Sequence, residues 1–294
     1  MPGCGICGGE VILVYPGSSL KIDPAMLSPT NHRPGEHGDL YRCGSCGTLQ
    51  QPSLPAGSEL ARLYRGMRDD GYLVEEAGRR RTARRVLELI QAHVPAGRLL
   101  DVGCGPGLLL DEARRRGFDV EGIELSASAA EDARGLGMRV HEVALEDFGA
   151  GEQRFDVVVL ADVLEHLSDP PSRLRQCRDL LRPGGALCVV TPDPSSATAR
   201  LAGARWWGLI PAHTFLIPRA TLRRVIRDAG FEIAEDASLL RSFSAGYWVA
   251  GLAERGGRLG AVGRAVRRVL PSRLMLSVPL GDERVVVATV TPSA

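Results

Sequence analysis

Residues 98–108 constrain the fold most strongly, because this segment, RLLDVGCGPGL, joins a short apolar run to a glycine-rich turn. The apolar run predicts a buried strand. Gly103, Gly105 and Gly107 let the backbone pass close to a ligand, since side chains at these positions would occupy the ligand's space. The next predicted strand ends at Glu124, whose carboxylate is suited to accept hydrogen bonds from both hydroxyls of a ribose. The segment therefore predicts a pocket for a cofactor that contains a nucleoside.

The glycine spacing and the acid before it favour one kind of cofactor. The spacing is Gly-x-Gly-x-Gly, whereas the dinucleotide fingerprint is Gly-x-Gly-x-x-Gly. Asp101 lies just before the turn, and its carboxylate would repel a pyrophosphate but support the sulfonium and amino group of S-adenosylmethionine. The pattern favours S-adenosylmethionine over a dinucleotide.

Further motifs follow along the chain, in the order LDVGCGPG, GIELS, FDVVVLADVLEHL, LRPGGAL and GFEI. With these motifs the chain resembles the class I S-adenosylmethionine-dependent methyltransferases over residues 72–291. The resemblance implies an α/β fold with a Rossmann-like, doubly wound, seven-stranded sheet, and S-adenosylmethionine as the cofactor.

The same resemblance implies which residues surround the cofactor. Those expected at its methionine part are Asp101, Gly103, Cys104, Gly105 and Gly107. Glu124 is expected to bind the ribose. The other candidates are Leu125 on the adenine, Glu146 or Asp147 near the adenine amino group, Ala161 and Asp162 at the end of the fourth strand, and Tyr72 as a cover. An aromatic side chain after a glycine is also typical of simple packing.

Alternating strand and helix patterns from residue 97 onward agree with a doubly wound fold. The apolar run 157–160 predicts a central parallel strand covered on both faces, and residues 231–234 and 284–290 predict an antiparallel final pair. We expect a cofactor-covering helical segment over residues 53–95 and a methyltransferase domain over 96–294, with a helical insertion near 242–280. Within the insertion, residues 255–270 predict a substrate lid or packing helix, with an oligomer contact or a membrane-surface helix as alternatives.

Residues 1–52 contain two copies of a Cys-x-x-Cys-Gly pattern. Cys4, Cys7, Cys43 and Cys46 are predicted to bind one structural Zn²⁺ in a small zinc ribbon, because two tight turns supply four thiolates and leave no open coordination position. Unligated cysteines or a redox pair are the alternatives. His32 and His37 lie between the two pairs, but four thiolates already satisfy the metal.

The charge balance and the hydropathy of the sequence limit which kinds of binding partner are expected. The 36 basic residues nearly cancel the 35 acidic ones, so no global field draws the protein to nucleic acid, although a local patch is not excluded. The arginine run 79–85 favours a solvated helix face, with phosphate binding as the minor alternative.

The sequence shows neither a signal peptide nor an apolar run of membrane-spanning length, which predicts a cytoplasmic protein without a transmembrane segment. The oligomeric state is left open.

Two histidines are candidates for the catalytic base. His166 follows the fourth predicted strand, and His213 follows an aromatic segment after the fifth, where the resembled family builds its acceptor pocket. Either imidazole has a suitable pKa for removing a proton from an acceptor hydroxyl, and helix capping is the alternative role for His166 in its Glu-His-Leu context. Trp206 and Trp207 predict an aromatic acceptor wall or core packing.

The favoured function is methyl transfer to a small-molecule acceptor, most simply at oxygen, in specialised or quinone-like metabolism. A ribosomal or transfer RNA methyltransferase that uses the zinc ribbon to hold RNA is the second hypothesis. The third is a protein that senses S-adenosylmethionine without catalysis, since a binding motif does not imply turnover.

Overall fold

The computed structural model describes residues 3–18, 22–30, 36–52, 55, 57–69, 71–149, 154–253, 265 and 274–291. The strands are β1 Val11–Tyr15, β2 Leu40–Cys43, β3 Leu49–Gln50, β4 Gly97–Val102, β5 Phe118–Ile123, β6 Arg139–His141, β7 Phe155–Ala161, β8 Leu181–Pro192, β9 Phe215–Leu216, β10 Phe231–Ser238, β11 Ser242–Ser244, β12 Met275–Ser277 and β13 Glu283–Val290. The α-helices are α1 Ser58–Arg65, α2 Glu76–Gln91, α3 Leu108–Arg115, α4 Ala127–Gly135, α5 Pro170–Leu180, α6 Ala197–Ala202, α7 Arg219–Asp228 and α8 Ala245–Ala253. Short 3-10 helices are Pro24–Leu27, Tyr72–Glu75, Leu145–Asp147, Leu164–His166 and Gly203–Arg205.

Seven strands form the main sheet in the order β10-β13-β8-β7-β4-β5-β6. Strands β4 to β8 are parallel to one another, whereas β13 is antiparallel to both β8 and β10. The predicted seven-stranded Rossmann-like sheet and its antiparallel final pair are confirmed.

The sheet is buried on both faces because its apolar strands direct alternate side chains to opposite sides. Leu99 and Val157 pack with apolar residues of α2, α3 and α4 on one side. Leu100 and Val158 pack with residues of α5 and α7 on the other. The two helical layers hold the carboxyl ends of the parallel strands in a fixed arrangement.

A second sheet contains the N-terminal strands in the order β1-β2-β3-β9. Its last strand, β9, lies between β8 and β10 in the chain, and Leu49 is opposite Leu216 and Gln50 opposite Phe215. The N-terminal segment is therefore joined by backbone pairing to the part of the chain that forms the main sheet.

The region after β10 contains a short two-stranded antiparallel sheet in addition to a helix. Strand β11 pairs antiparallel with β12, and α8 follows β11 directly. The predicted helix over 255–270 lies outside the described residues, apart from residue 265. Strand β6 ends at His141, and the chain then turns toward the 3-10 helix at Leu145–Asp147. Within the described ranges, no helix is both long enough and apolar enough to cross a membrane.

Candidate active site

A large cavity of about 2180 Å³ opens at the carboxyl ends of β4, β5, β7 and β8. Its walls include the glycine turn, the ends of β5 and β7, the loop before β9, and parts of the N-terminal segment and the β11–α8 region. This edge is where open α/β sheets bind ligands. The cavity is long enough to have two parts, one against the glycine turn and one against the histidines.

The glycine turn connects β4 to α3 with three left-handed residues. The φ angles of Gly103, Gly105 and Gly107 are 69°, 53° and 81°, which side chains rarely permit. The amides of Gly103 and Cys104 donate to the Ile123 carbonyl oxygen at 2.7 and 3.0 Å, which fixes the turn against β5. The turn thus has the backbone shape that the sequence predicts.

Glu124 is buried at the end of β5 and faces this turn. Its Oε2 accepts from the Gly105 amide at 2.9 Å, and its Oε1 accepts from the Ser126 amide at 2.7 Å. A carboxylate has about four lone-pair positions, so both oxygens can accept further bonds from a ligand. Burial raises the pKa of Glu124, although the backbone amides oppose that effect.

Asp101 is the buried acid beneath the turn. No described residue donates a hydrogen bond to its Oδ1. Burial, and secondarily Glu124, raises the pKa of Asp101 to about 8. An orphaned buried carboxylate of this kind is relieved by a nearby cation, and S-adenosylmethionine carries positive charge on its sulfonium and amino group. The site therefore fits the predicted cofactor.

Most of the other predicted cofactor residues line the cavity. They are Tyr72, Leu125, Glu146, Asp147, Ala161 and Asp162. Asp101, Cys104 and Gly107 lie behind the cavity surface. The Cys104 side chain points into the core, where a methyl group added to Gly122 would lie 2.5 Å from its Sγ. Cys104 can contact a ligand in this arrangement only through its backbone.

Tyr72 lies over the glycine turn, as a covering residue should. A methyl group added to Gly105 would be 3.9 Å from the Tyr72 hydroxyl, so only a narrow gap separates the two. The Arg79 guanidinium lies 3.7 Å from the centre of the Tyr72 ring and its Nε donates to the Tyr72 carbonyl. Glu75 accepts hydrogen bonds from the amide and hydroxyl of Ser244, which connects this cover to β11.

A cluster of charged side chains follows β7. Asp162 has a φ of 57°, and it is the sole positive-φ residue other than glycine in the described chain. Its carboxylate pairs with Arg241, which also donates to Glu283 at 2.8 Å. Such strain in a non-glycine residue is typical of a functional site, and here it turns Asp162 toward the cavity.

The two histidines lie side by side, with ring centroids 4.9 Å apart. His166 Nδ1 is 2.9 Å from the Ala212 carbonyl oxygen, and His213 Nδ1 is 2.7 Å from the Gly208 carbonyl oxygen. A carbonyl only accepts, so Nδ1 carries the proton in each ring and Nε2 keeps its lone pair. Burial lowers the pKa of His166, and it lowers the pKa of His213 to about 3 with a further contribution from His166. Both rings are neutral near pH 7, and each can accept a proton at Nε2.

Glu165 lies next to the histidines. Thr191 donates to its Oε2 at 3.0 Å, while its Oε1 receives no hydrogen bond from the described residues. Burial, and then Asp162, raises the pKa of Glu165 to about 8. One donor atom each from Glu165, His166 and His213 falls within 4.8 Å of the others, so this group also has donor types that bind metal ions.

The tryptophans divide between two roles. Trp206 is 2% exposed and packs with residues such as Leu40 and Leu216, whereas Trp207 lines the cavity. Both indoles donate to Asp282 Oδ2, at 2.9 and 2.7 Å. Trp207 thus belongs to the cavity wall, while Trp206 is a core residue.

The four N-terminal cysteines converge. The Sγ atoms of Cys4 and Cys46 are 3.6 Å apart, those of Cys7 and Cys43 are 3.5 Å apart, and all four lie within 4.8 Å of one another. Four thiolates at this spacing match a tetrahedral metal site. His37 is buried with its Nδ1 directed to the Gly38 carbonyl, and it does not belong to this group; His32 lies outside the described residues.

Sequence reasoning did not identify Tyr64, Glu165 or Arg241 as site residues. The Tyr64 hydroxyl lies 2.9 Å from His166 Nδ1, although Tyr64 is distant from His166 in the chain. Glu165 adjoins His166 in the chain, and that adjacency was the available signal. Arg241 has no local pattern, because only the packing of β10 and β13 brings it to Asp162.

Comparison with known proteins agrees with the fold and the cofactor. A family model described as "Methyltransferase domain" matches residues 74–236. A ubiquinone biosynthesis O-methyltransferase of Cereibacter sphaeroides strain ATCC 17025 is 39% identical over 117 residues, which cover 37% of this chain and 47% of that protein. The matched part thus spans about half of that relative. The enzyme of the same name from strain KD131 is 33% identical over 187 residues, 58% of this chain and 74% of the relative.

A solved structure supports the same fold. The 1,6-didemethyltoxoflavin-N1-methyltransferase of Burkholderia thailandensis, solved with S-adenosylhomocysteine and its acceptor, superposes with a TM-score of 0.51 at 17% identity, covering 83% of this chain and 96% of that chain. The sheet order, the glycine turn and the family match lead to one conclusion: the chain belongs to the methyltransferase domain family and is a class I S-adenosylmethionine-dependent methyltransferase.

Proposed function

We propose that the protein transfers the methyl group of S-adenosylmethionine to an oxygen of a small aromatic acceptor in quinone-like or specialised metabolism. The observation that carries this proposal is that His166 lines the same cavity as the predicted cofactor residues, with its Nδ1 hydrogen-bonded to the Ala212 carbonyl so that Nε2 keeps its lone pair. The names of the curated relatives, ubiquinone biosynthesis O-methyltransferases, support the same acceptor class.

The cofactor is held, in this proposal, by the residues around the glycine turn. Glu124 accepts hydrogen bonds from the ribose, Asp101 offsets the positive charge, and Tyr72 covers the ligand. Leu125 packs on the adenine and Glu146 or Asp147 lies near its amino group, while Asp162 borders the acceptor side. When bound, S-adenosylmethionine supplies a methyl group that is already activated on a sulfonium. The protein therefore has to position the acceptor and remove its proton.

His166 is the proposed base, and His213 is a supporting residue. The hydrogen bond to Ala212 keeps the His166 ring in the tautomer that accepts a proton at Nε2. His213 has a pKa of about 3, which makes its Nε2 a much weaker base. His213 instead packs against His166 and orients it.

The cysteine cluster is proposed to bind one structural Zn²⁺. Its thiolates would come from two turns, and coordination would stabilise three buried thiols and the exposed thiol of Cys7 at short distance from one another. The ion would hold the N-terminal segment together and would take no part in methyl transfer.

The arginine run does not favour an RNA substrate. Arg80 pairs with Glu76, Asp111 and Glu112, and Arg84 also pairs with Glu112. Arg79 stacks on Tyr72, and Arg85 donates to the Ser242 and Ser277 hydroxyls. These four side chains make internal contacts, which limits how they can contact phosphates, while Arg81 is exposed.

The proposal is tested by incubating the protein with S-adenosylmethionine and three probes: protocatechuate as a catechol, aniline as an amine, and a structured RNA. We expect S-adenosylhomocysteine production with the catechol. Turnover with RNA alone would support the RNA hypothesis, and tight cofactor binding without turnover of any probe would support a sensor. Elemental analysis of the same sample is expected to give one zinc per chain, and two would assign a second ion to Glu165, His166 and His213.

A further inference from the structure

Two adjacent glutamines connect the cysteine module, defined here as residues 3–52, to the histidines. Gln50 ends β3, and its Oε1 accepts from the Gly5 amide at 3.0 Å, between the first two cysteines. Gln51 follows it and contacts a different part of the protein, as alternating side chains along an extended chain do. One glutamine therefore holds the first cysteine turn, and the other is free to hold the methyltransferase domain.

Gln51 is 1% exposed, and both ends of its side-chain amide have partners. Its Nε2 lies 3.2 Å from the carbonyl oxygens of both Pro211 and His213, and its Oε1 accepts from the Gly38 amide. Its own backbone amide donates to the Thr214 carbonyl at 3.0 Å. A buried amide with both N–H groups directed to one loop fixes the position of that loop.

The loop held by Gln51 controls the tautomer of His166. The Ala212 carbonyl that accepts from His166 Nδ1 lies between Pro211 and His213, whose carbonyls Gln51 holds. The Thr214 amide donates to the Glu165 carbonyl at 2.8 Å. This hydrogen bond joins the other end of the loop to the 3-10 helix that contains Glu165 and His166. Movement of residues 211–213 would therefore move the acceptor for His166.

We infer that Gln51 is a positioning residue, and that through it the cysteine module forms part of the acceptor site. Gln51 holds the loop so that the Ala212 carbonyl keeps His166 protonated on Nδ1 and basic on Nε2. The consequence for catalysis rests on the proposed role of His166 as the base. The inference that Gln51 sets the tautomer of His166 is independent of that role.

The test replaces Gln51 with methionine, which has a similar length but no N–H donor. Long-range ¹H–¹⁵N NMR correlations report the tautomer of His166, and the His166 signals are assigned by their loss in His166→Ala. In Gln51→Met we expect a second His166 tautomer to be populated. Hydrogen exchange of the backbone amides of 213 and 214 should become faster on the order of tenfold, because two hydrogen bonds to the loop are lost. S-adenosylmethionine affinity, measured by calorimetry, should change less than about twofold, because the glycine turn is untouched.

Gln91→Met is the matched control. Gln91 lies at the end of α2 and donates to the Pro95 carbonyl, away from the cavity. This variant should reproduce the native His166 tautomer and exchange rates. Gln51→Glu provides a second variant of nearly the same size, in which a carboxylate faces the carbonyls of Pro211 and His213, and it should displace the loop as well.

An unchanged tautomer and unchanged exchange in both Gln51 variants would overturn the inference, because the loop would then hold its position unaided. Loss of protection across the whole main sheet, together with loss of cofactor binding, would also contradict it, since the effect would be one of general stability. These readouts need no acceptor. A protein that turns over none of the three probes but shows the expected tautomer change would refute the proposed function and leave the positioning role intact.

Discussion

The hydroxyl oxygen of Tyr64 lies 2.9 Å from Nδ1 of His166 and thereby connects helix α1 to the proposed base. His166 Nδ1–H already donates to Ala212, so the Tyr64 oxygen shares that proton or accepts weakly. Burial raises the pKa of Tyr64, and the phenol stays protonated throughout the physiological range. Tyr64 therefore orients His166 and is not itself the base.

Tyr64→Phe should lower kcat about fivefold, since one shared hydrogen bond contributes about 1 kcal/mol. Steady-state kinetics on the acceptor found in the screen would measure this. A loss as large as that of a His166 variant would show that Tyr64 handles the proton directly.

His166→Ala should lower kcat by roughly 10²–10⁴ with little change in cofactor affinity, because a general base acts on the transition state. His213→Ala should have a smaller effect. The acidic limb of the native pH profile should lie below the ordinary histidine pKa of about 6.5, because burial lowers the pKa of His166. Small losses in both variants would favour catalysis by positioning alone.

Glu124→Gln should weaken S-adenosylmethionine binding by about 1.5–3 kcal/mol, because a charged acceptor of the ribose hydroxyls is replaced by a neutral one. Isothermal calorimetry measures the difference. Glu131→Gln on the exposed face of α4 is the control and should bind like the native protein. Equal affinity in both variants would remove Glu124 from the cofactor site.

The affinity for S-adenosylmethionine should increase as the pH rises from about 6 to 8. Asp101 has a pKa of about 8 in the free protein, so it is largely protonated below that pH. A bound cation favours the carboxylate, lowers this pKa and releases a proton. Calorimetry in buffers of different ionisation enthalpy would detect the release. Asp101→Asn should lose this part of the pH dependence, and a native affinity that falls toward pH 8 would contradict the assignment.

Gly78→Ala should destabilise the protein by about 1–3 kcal/mol, because the added methyl group would overlap the Ser242 carbonyl where α2 packs on β11. Gly135→Ala is the matched substitution at the end of α4. A methyl group there meets no atom within 4 Å, so it should be neutral or slightly stabilising. Urea denaturation of both variants measures the difference, and equal midpoints would show that α2 can shift away from β11.

Local sequence pattern was sufficient for the main sheet because each strand carries its own signal. Residues 157–160 are continuously apolar and form part of the fully buried centre of β7. The three glycines likewise mark the turn, since each adopts a positive φ that few other residues accept.

The acceptor side could not be predicted in the same way, because distant segments assemble it. Tyr64, Arg241 and Gln51 lie in three separate segments, and each has an unremarkable neighbourhood in the chain. The different roles of Trp206 and Trp207 could not be predicted from the sequence either. The two tryptophans are neighbours of the same residue type, whereas their side chains point to different surroundings in the fold. On the acceptor side, the sequence did indicate the loop that contains His213.

The placement of β9 in the N-terminal sheet has a consequence for biosynthesis. Residues 1–52 are synthesised well before residues 215–216. Strand β3 therefore cannot pair with β9 until more than half of the chain has been added after it. Pairing across so long a separation carries a large loop-closure cost and is typically late in folding. The cysteine turns can form early, but the loop before β9 reaches its final place only when the two parts of the chain meet. Maturation of the acceptor side is therefore expected to be among the last folding events, after the glycine turn has formed.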